Sequence, residues 1–140
     1  MTVEIRAADW QRDRDAIRSV RDAVFIREQG VDPAIEWDAS DDTAQHFLVL
    51  RDGRPVGTGR LATSGKIGRM AVLQSERDSG LGQRLLAHIC SHAREQGFDR
   101  VTLHAQRHAE GFYRRAGFAA EGEPFVEADI DHIRMVQDFG

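Results

Sequence analysis

Polar and apolar positions alternate over residues 2–8, with Val3 and Ile5 as the inward candidates, which predicts a first β-strand. The period then changes. Ile17, Val20 and Val24 recur at helical spacing, so residues 13–25 read as an amphipathic helix. Residues 30–43, "GVDPAIEWDASDDT", are acidic and rich in turn formers; they predict a surface loop region with one short helix after Pro33. Strand patterns follow at 46–51 and 55–63, joined by Asp52-Gly53, a strong hairpin signal. Residues 63–66 make a further turn into the strand "KIGRMAVL". A helix over 80–96 carries Leu81, Leu85, Ile89 and Ala93 on one stripe and stops at Gly97. Residues 100–105 form a strand, with Val101 and Leu103 facing one way and His104 the other. A short helix over 109–116 is stopped by Gly117, and residues 118–139 read as two strands around an acidic turn at 129–131.

The element order is therefore β-α-(α)-β-β-β-α-β-α-β-β. It describes a single α/β domain over residues 1–140 with a mixed sheet, free of repeats, low-complexity tracts or linkers. The helix over 80–96 connects two strands that such a crossover makes parallel neighbours.

Composition narrows the class. The chain has 140 residues, 41% hydrophobic and 30% charged, with a formal net charge of -4, which describes an ordinary globular protein. Its basic residues are arginines apart from Lys66. A general nucleic-acid binder would carry a basic excess or stripe, so nucleic acid is not an expected partner. The lone Cys90 excludes an intramolecular disulfide and a cysteine-built zinc site, and it fits a reducing, cytoplasmic setting. The first residues carry no apolar core of signal-peptide length, and no apolar run reaches a membrane-spanning length, so no membrane association is expected. His88 and His92, like His104 and His108, have a metal-compatible spacing. However, "HICSH" lacks the glutamate of HExxH and His104 lies in a strand, so no metal site is expected. Cys90 reads as a small packed residue.

The stretch "QSERDSGLGQRLL", residues 74–86, carries the main chemical question. A helix N-terminus offers unpaired amides and the positive end of the backbone dipole. Gly80 and Gly82 let an anion approach the main chain closely, and Arg77 is suited to pair with a phosphate oxygen. Equally, Ser79 is a good cap and the glycines relax a turn, so these residues alone leave both readings open. Two better-known phosphate loops do not fit. The one Gly-Lys pair, Gly65-Lys66, is followed by Ile67 where a P-loop needs Ser or Thr and has Arg60 where the first P-loop glycine belongs, and a dinucleotide fingerprint on Gly80 and Gly82 would meet Leu85 where its third glycine belongs.

The pattern that fits is Arg77-x-x-Gly80-x-Gly82, preceded by "RMAV" and followed by "QRHAEGFYRRAGF" (residues 106–118). In these motifs the chain resembles the GNAT (Gcn5-related) N-acetyltransferase superfamily. Its motif A is [Q/R]-x-x-G-x-[G/A], between the fourth strand and the third helix. Its second signature is a short helix ending in Tyr and x-x-x-Gly-Phe; Gln106 stands here where Asn is common. The resemblance covers nearly the whole chain. Gln29, Gly30, Asp41 and His46, with "GFYRRAGF" and "FVEADIDHIRM", are similar to an ElaA-like bacterial branch. It implies a mixed central sheet of six to seven strands with a splayed β4–β5 pair, flanked by about four helices. Two departures stand out. Asp78 places a negative charge in the phosphate loop, and "EADIDH" replaces a Glu-x-Gly-Ile-Pro-His turn at the substrate mouth.

The resemblance implies an enzyme that moves acetyl from acetyl-CoA directly to a primary amine in a ternary complex. The acceptor is a small molecule or peptide. The pyrophosphate would rest on Arg77 and the loop residues Asp78, Ser79, Gly80, Leu81, Gly82 and Gln83. Met70, Ala71 and Val72 would bind the pantetheine arm like an added strand, and Gln106, Ala109 and Phe112 would line the other side. Tyr113, the only tyrosine, takes the general-acid position. Base candidates are Glu28, Glu127, His104 and His132, with a relaying water as a further option. Met70 and Phe112 read as packing groups. The acidic run Glu36, Asp38, Asp41 and Asp42 would attract a cationic amine, although an ordinary solvated loop explains it more simply. The rival reading is a non-catalytic acyl-CoA-binding or regulatory module on the same fold, and a homodimer stays open, being common on this fold.

Overall fold

The computed structural model describes residues 2–36 and 38–140. Strand β1 (Val3–Ala8) leads to helix α1 (Arg14–Arg21), which widens into a π-helical segment, Asp22–Glu28. The helix thus runs past its expected end at residue 25. A one-turn helix α2 (Pro33–Glu36) and a 3-10 turn (Ala39–Asp42) follow. Strands β2 (Gln45–Arg51), β3 (Arg54–Leu61) and β4 (Lys66–Val72) precede helix α3 (Leu81–Glu95) and strand β5 (Arg100–Gln106). Helix α4 (Glu110–Arg115) and strands β6 (Ala119–Glu127) and β7 (Ile130–Asp138) complete the chain. No helix among the described residues is long and apolar enough to cross a membrane.

One seven-stranded sheet holds the order β1-β2-β3-β4-β5-β7-β6. β1 to β4 form an antiparallel meander, and β7 lies between β5 and the edge strand β6. β4 and β5 are parallel, as a helical crossover requires, but they are partnered only at Lys66–Thr102 and Ile67–Leu103. Beyond that point they part. The cause lies in β4: the register with β3 shifts between Thr58 and Arg60, and Arg69 sits at φ 50°. Such a bulge adds a residue to one strand and bends it away from its neighbour.

α3 covers one face of the sheet. Leu81, Leu85, Leu86, Ile89 and Ala93 pack with Phe47, Val49, Leu61, Ile67, Val101 and Leu103. Burying a side chain such as Leu85 or Ile89 contributes roughly 1.5–3 kcal/mol each. The helix approaches β3 so closely that a Cβ on Gly59 would lie 2.7 Å from Ile89 Cδ1. On the opposite face Val20 and Val24 of the first helix pack on Ala71.

The acidic stretch after α1 departs from the expected solvated loop. Glu36 and Asp41 are buried and close around the fully buried Arg21. Arg21 donates Nε to Glu36 Oε1 and Nη1 to Asp41 Oδ1, both at 2.8 Å, and Nη2 to the Glu36 carbonyl at 2.9 Å. Arg60 Nη1 reaches Asp41 Oδ1 and Asp38 Oδ1, each at 2.9 Å. His46 Nε2 lies 2.9 Å from the Asp41 carbonyl, which can only accept, so this nitrogen carries a proton. Trp10 stacks on His46 with ring centroids 4.4 Å apart. Buried charges require such partners, and here the arginines come from α1 and β3.

Burial raises the Asp41 carboxyl, but hydrogen bonds and positive charge from Arg21 and Arg60 outweigh it and hold the pKa below the ordinary value. Burial depresses His46. Both folded pKa values lie below their unfolded ones, so both groups contribute stability that is lost on acidification. The His46 contribution fades as pH falls below 6.5, and that of Asp41 as pH falls below 3.8. Acid titration of the melting temperature should show both stages. Arg21→Met should cost about 3–5 kcal/mol by chemical denaturation, because it leaves buried carboxylates uncompensated. Arg100→Met, at the surface pair with Asp138, should leave stability nearly unchanged.

Candidate active site

The parting of β4 and β5 opens a cleft of about 1100 Å³. Its walls come from the π-helical segment, β4, β5, the turn before α4 and the β6–β7 turn. At one end of the cleft stands the loop leading into α3. Gly80 is the N-cap at φ 82°, a left-handed conformation that suits glycine. Among the described residues no side chain caps this helix. Ser79, suited to that role by sequence, turns its hydroxyl to the Glu76 carbonyl. The first helical bond runs from Arg84 N to Gly80 O at 3.0 Å, so the amides of Leu81, Gly82 and Gln83 precede it and stand at the positive end of a 15-residue helix. The Leu81 side chain is core, so this residue offers only its amide. Gln83 is exposed. Asp78 is exposed too, at the apex of the turn with φ 64°, a conformation that Asp tolerates better than most residues.

Arg77 is engaged elsewhere than at the helix amides. Its Nη1 and Nη2 donate to the Glu28 carboxylate at 2.6 and 2.7 Å, and its Nε to the Val72 carbonyl at 3.0 Å. This fork ties the loop to the end of β4 and to the first helix. The Arg77 hydrogen bond also holds the Glu28 pKa below its ordinary value, against a smaller opposing effect of burial. A carboxylate with both oxygens on a guanidinium is a weak proton acceptor.

Along β4, Met70 packs towards the α3 core, Ala71 towards the first helix, and both line the cleft with Val72. The β3 side of β4 is paired at Ala71 and Val72, whereas its other side has no β5 partner there. Across the gap, Gln106 donates Nε2 to Gln29 Oε1 at 2.9 Å, and Ala109 lies in the 3-10 turn before α4. Phe112 backs Gly82, its Cζ 3.6 Å from where a Cβ would sit, and meets Tyr113 edge to face at 5.1 Å. Tyr113 lines the cleft, and burial pushes its phenol up to about 12. Cys90, on α3, is likewise pushed up to about 11 by burial.

A second group of titratable side chains stands on the far wall. His104 Nδ1 lies 3.0 Å from Glu127 Oε1, and His132 Nε2 lies 3.9 Å from Glu127 Oε2. Arg60, Arg69 and Ser40 also line the cleft, and sequence reading gave them no role. The usable signal was glycine inside a strand, Gly68, beside a charged residue, which marks a bulge.

The fold agrees with what known proteins show. The chain belongs to the GNAT acetyltransferase family: the model of the acetyltransferase (GNAT) domain matches residues 14–139. It is similar to YjcF of Bacillus subtilis, described as an uncharacterized N-acetyltransferase, at 33% identity over 123 residues, covering 85% of this chain and 88% of YjcF. Among solved structures it resembles an acyl-CoA N-acyltransferase from Pseudomonas aeruginosa, with TM-score 0.85 and 30% identity over 97% of this chain and 99% of that one. It also resembles Escherichia coli ElaA, with TM-score 0.88 and 27% identity over 98% and 100% of the two chains.

Tyr113 is the only tyrosine, so near-ultraviolet absorbance reads it directly. Its titration midpoint should lie near 12 in the folded protein and near 10 in denaturant. The raised pKa favours the protonated fold, so this contribution to stability is present below 10 and lost as pH rises towards 12.

Proposed function

We propose that the protein is an N-acetyltransferase that moves acetyl from acetyl-CoA directly to a primary amine in a ternary complex. One observation carries this reading: the unpaired side of β4 at Met70, Ala71 and Val72, Arg77 of the loop leading into the uncapped α3, and Tyr113 line one cleft.

Each part has a physical role. The amides of Leu81, Gly82 and Gln83, at the positive end of α3, suit a pyrophosphate. Gly80 and Gly82 leave the approach clear of side chains. The unpaired side of β4 at Met70, Ala71 and Val72 offers main-chain groups to the pantetheine arm, as an edge strand does. Bound there, acetyl-CoA supplies the activated acetyl group. A β4 amide is suited to hold the negative charge that develops on the carbonyl oxygen. Tyr113 keeps its proton throughout the neutral range and can donate it to the departing sulfur. The state of the thiol supports direct transfer: Cys90 is the chain's only cysteine, and burial holds it protonated. Arg77 braces the loop through Glu28 and Val72, and exchange of Glu28 for a phosphate oxygen would bring it into the cradle.

Saturating acetyl-CoA should raise the melting temperature, by an amount set by the ratio of ligand concentration to Kd. Gly80→Val should remove that shift, because a β-branched residue resists the left-handed cap. Unchanged melting at millimolar acetyl-CoA would refute the coenzyme site. Tyr113→Phe should lower kcat by about 10²-fold while leaving acetyl-CoA affinity within about twofold, read by thiol release with a panel of primary amines. Equal turnover would remove the acid role.

A further inference from the structure

We propose that His104 is the group that takes the proton from the incoming ammonium, with Glu127 as its positioning residue. This deepens the transferase reading and rests on it.

The geometry selects His104 among the four base candidates Glu28, Glu127, His104 and His132. Glu28 has both oxygens on Arg77. Glu127 is drawn up by burial, but the His104 hydrogen bond and the charges of His104, Lys66 and His132 outweigh that and hold it ionised. An ionised carboxylate only accepts, so the His104 Nδ1 at 3.0 Å must donate to it. Nε2 of a neutral His104 is then left with its lone pair. His132 is fixed the same way, its Nδ1 lying 2.7 Å from the Ile130 carbonyl. The two rings differ in access: the His104 side chain is 28% exposed and that of His132 only 8%. His104 is therefore the ring a substrate can reach. Phe125 braces both, edge-on to His104 at 4.8 Å and stacked near His132 at 5.8 Å.

The sheet explains why these groups meet. His104 and Gln106 share one face of β5, and β7 places Arg134 and His132 opposite them in register. β6 sets Phe125 opposite His132 and Glu127 opposite Ile130. The charged groups near His104 are thus Glu127 from β6, His132 and Arg134 from β7, and Lys66 from β4, which pairs with Thr102 two residues before His104. Arg134 is neutralised by its ion pair with Glu121. Among the described residues, Glu127 is the carboxylate in hydrogen-bond contact with His104.

The step balances simply. An N–H bond of the ammonium breaks, its electron pair stays on the amine nitrogen, and a new N–H bond forms at His104 Nε2, directly or through one water. The imidazolium, stabilised by Glu127, later returns the proton to solvent at the mouth of the cleft. The freed lone pair is the nucleophile.

The test uses the full chain, with thiol release from acetyl-CoA and a panel of primary amines. Wild-type kcat/KM should rise with pH along a limb set by the enzyme and then level off. His104→Gln should lower kcat/KM about 10²-fold at neutral pH, leave the melting shift by acetyl-CoA intact, and follow the amine's own deprotonation. Imidazole in the buffer should partly restore His104→Ala. In nitrogen-resolved NMR of the free protein, His104 should be the Nδ1–H tautomer, and Glu127→Gln should release that preference. A wild-type pH profile in His104→Gln, or an Nε2–H tautomer at His104, overturns the relay while acetyl-CoA turnover by the wild type preserves the transferase reading. Absence of both turnover and melting shift in the wild type overturns the transferase reading itself.

Discussion

The arrangement depends on one local constraint, the loss of pairing between β4 and β5 after Ile67. Every backbone amide and carbonyl that leaves a sheet ladder must find another partner, and here a row of them faces a cleft. The bulge at Arg69 produces this by adding a residue to β4 opposite β3, and the left-handed φ at Arg69 is the local strain that accompanies it. Non-glycine residues at such angles persist only where their surroundings hold them. Arg69 is held by hydrogen bonds to the Glu36 carbonyl at 3.1 Å and to Asp38 at 3.2 Å. The buried ion network beneath the first helix thus serves the site as well as the fold. Arg21, Glu36 and Asp41 fix the acidic segment, and that segment holds the bulge.

Regular elements were legible in the sequence because their signals are local. The α3 stripe, the Asp52-Gly53 hairpin and the stop at Gly97 each need only a few neighbouring residues, and the element order they give is the observed one. The strand "KIGRMAVL" read as continuous because a bulge leaves the pattern almost unaltered. The order of the last strands, with β7 inside β6, has no local signal. The acidic stretch was read as solvated because its partner Arg21 lies 15 and 20 residues away from Glu36 and Asp41; Arg21 falls on the stripe of Ile17, Val20 and Val24, but nothing local in the sequence pairs it with those carboxylates.

The candidate site divides in the same way. The glycines before α3 and Tyr113 could be found from motifs, since a helix N-terminus and a short helix carry them. The pairings could not. Arg77 and Glu28 are 49 residues apart, and His104 and Glu127 are 23 apart on non-adjacent strands. Four residues that sequence reading treated as separate candidates are thereby sorted by contact: Glu28 braces a loop, Glu127 orients a ring, and only one of the two imidazoles is accessible.

Lys66 lends the composition a chemical meaning. It is the chain's single lysine, and it lines the cleft, while the other strongly basic side chains are arginines. A guanidinium stays protonated and delocalised and does not attack thioesters as a free amine does. The outer surface can therefore carry positive charge without offering side-chain amines to a thioester. Composition confines side-chain amines to one position, on the strand whose departure from its neighbour opens the cleft.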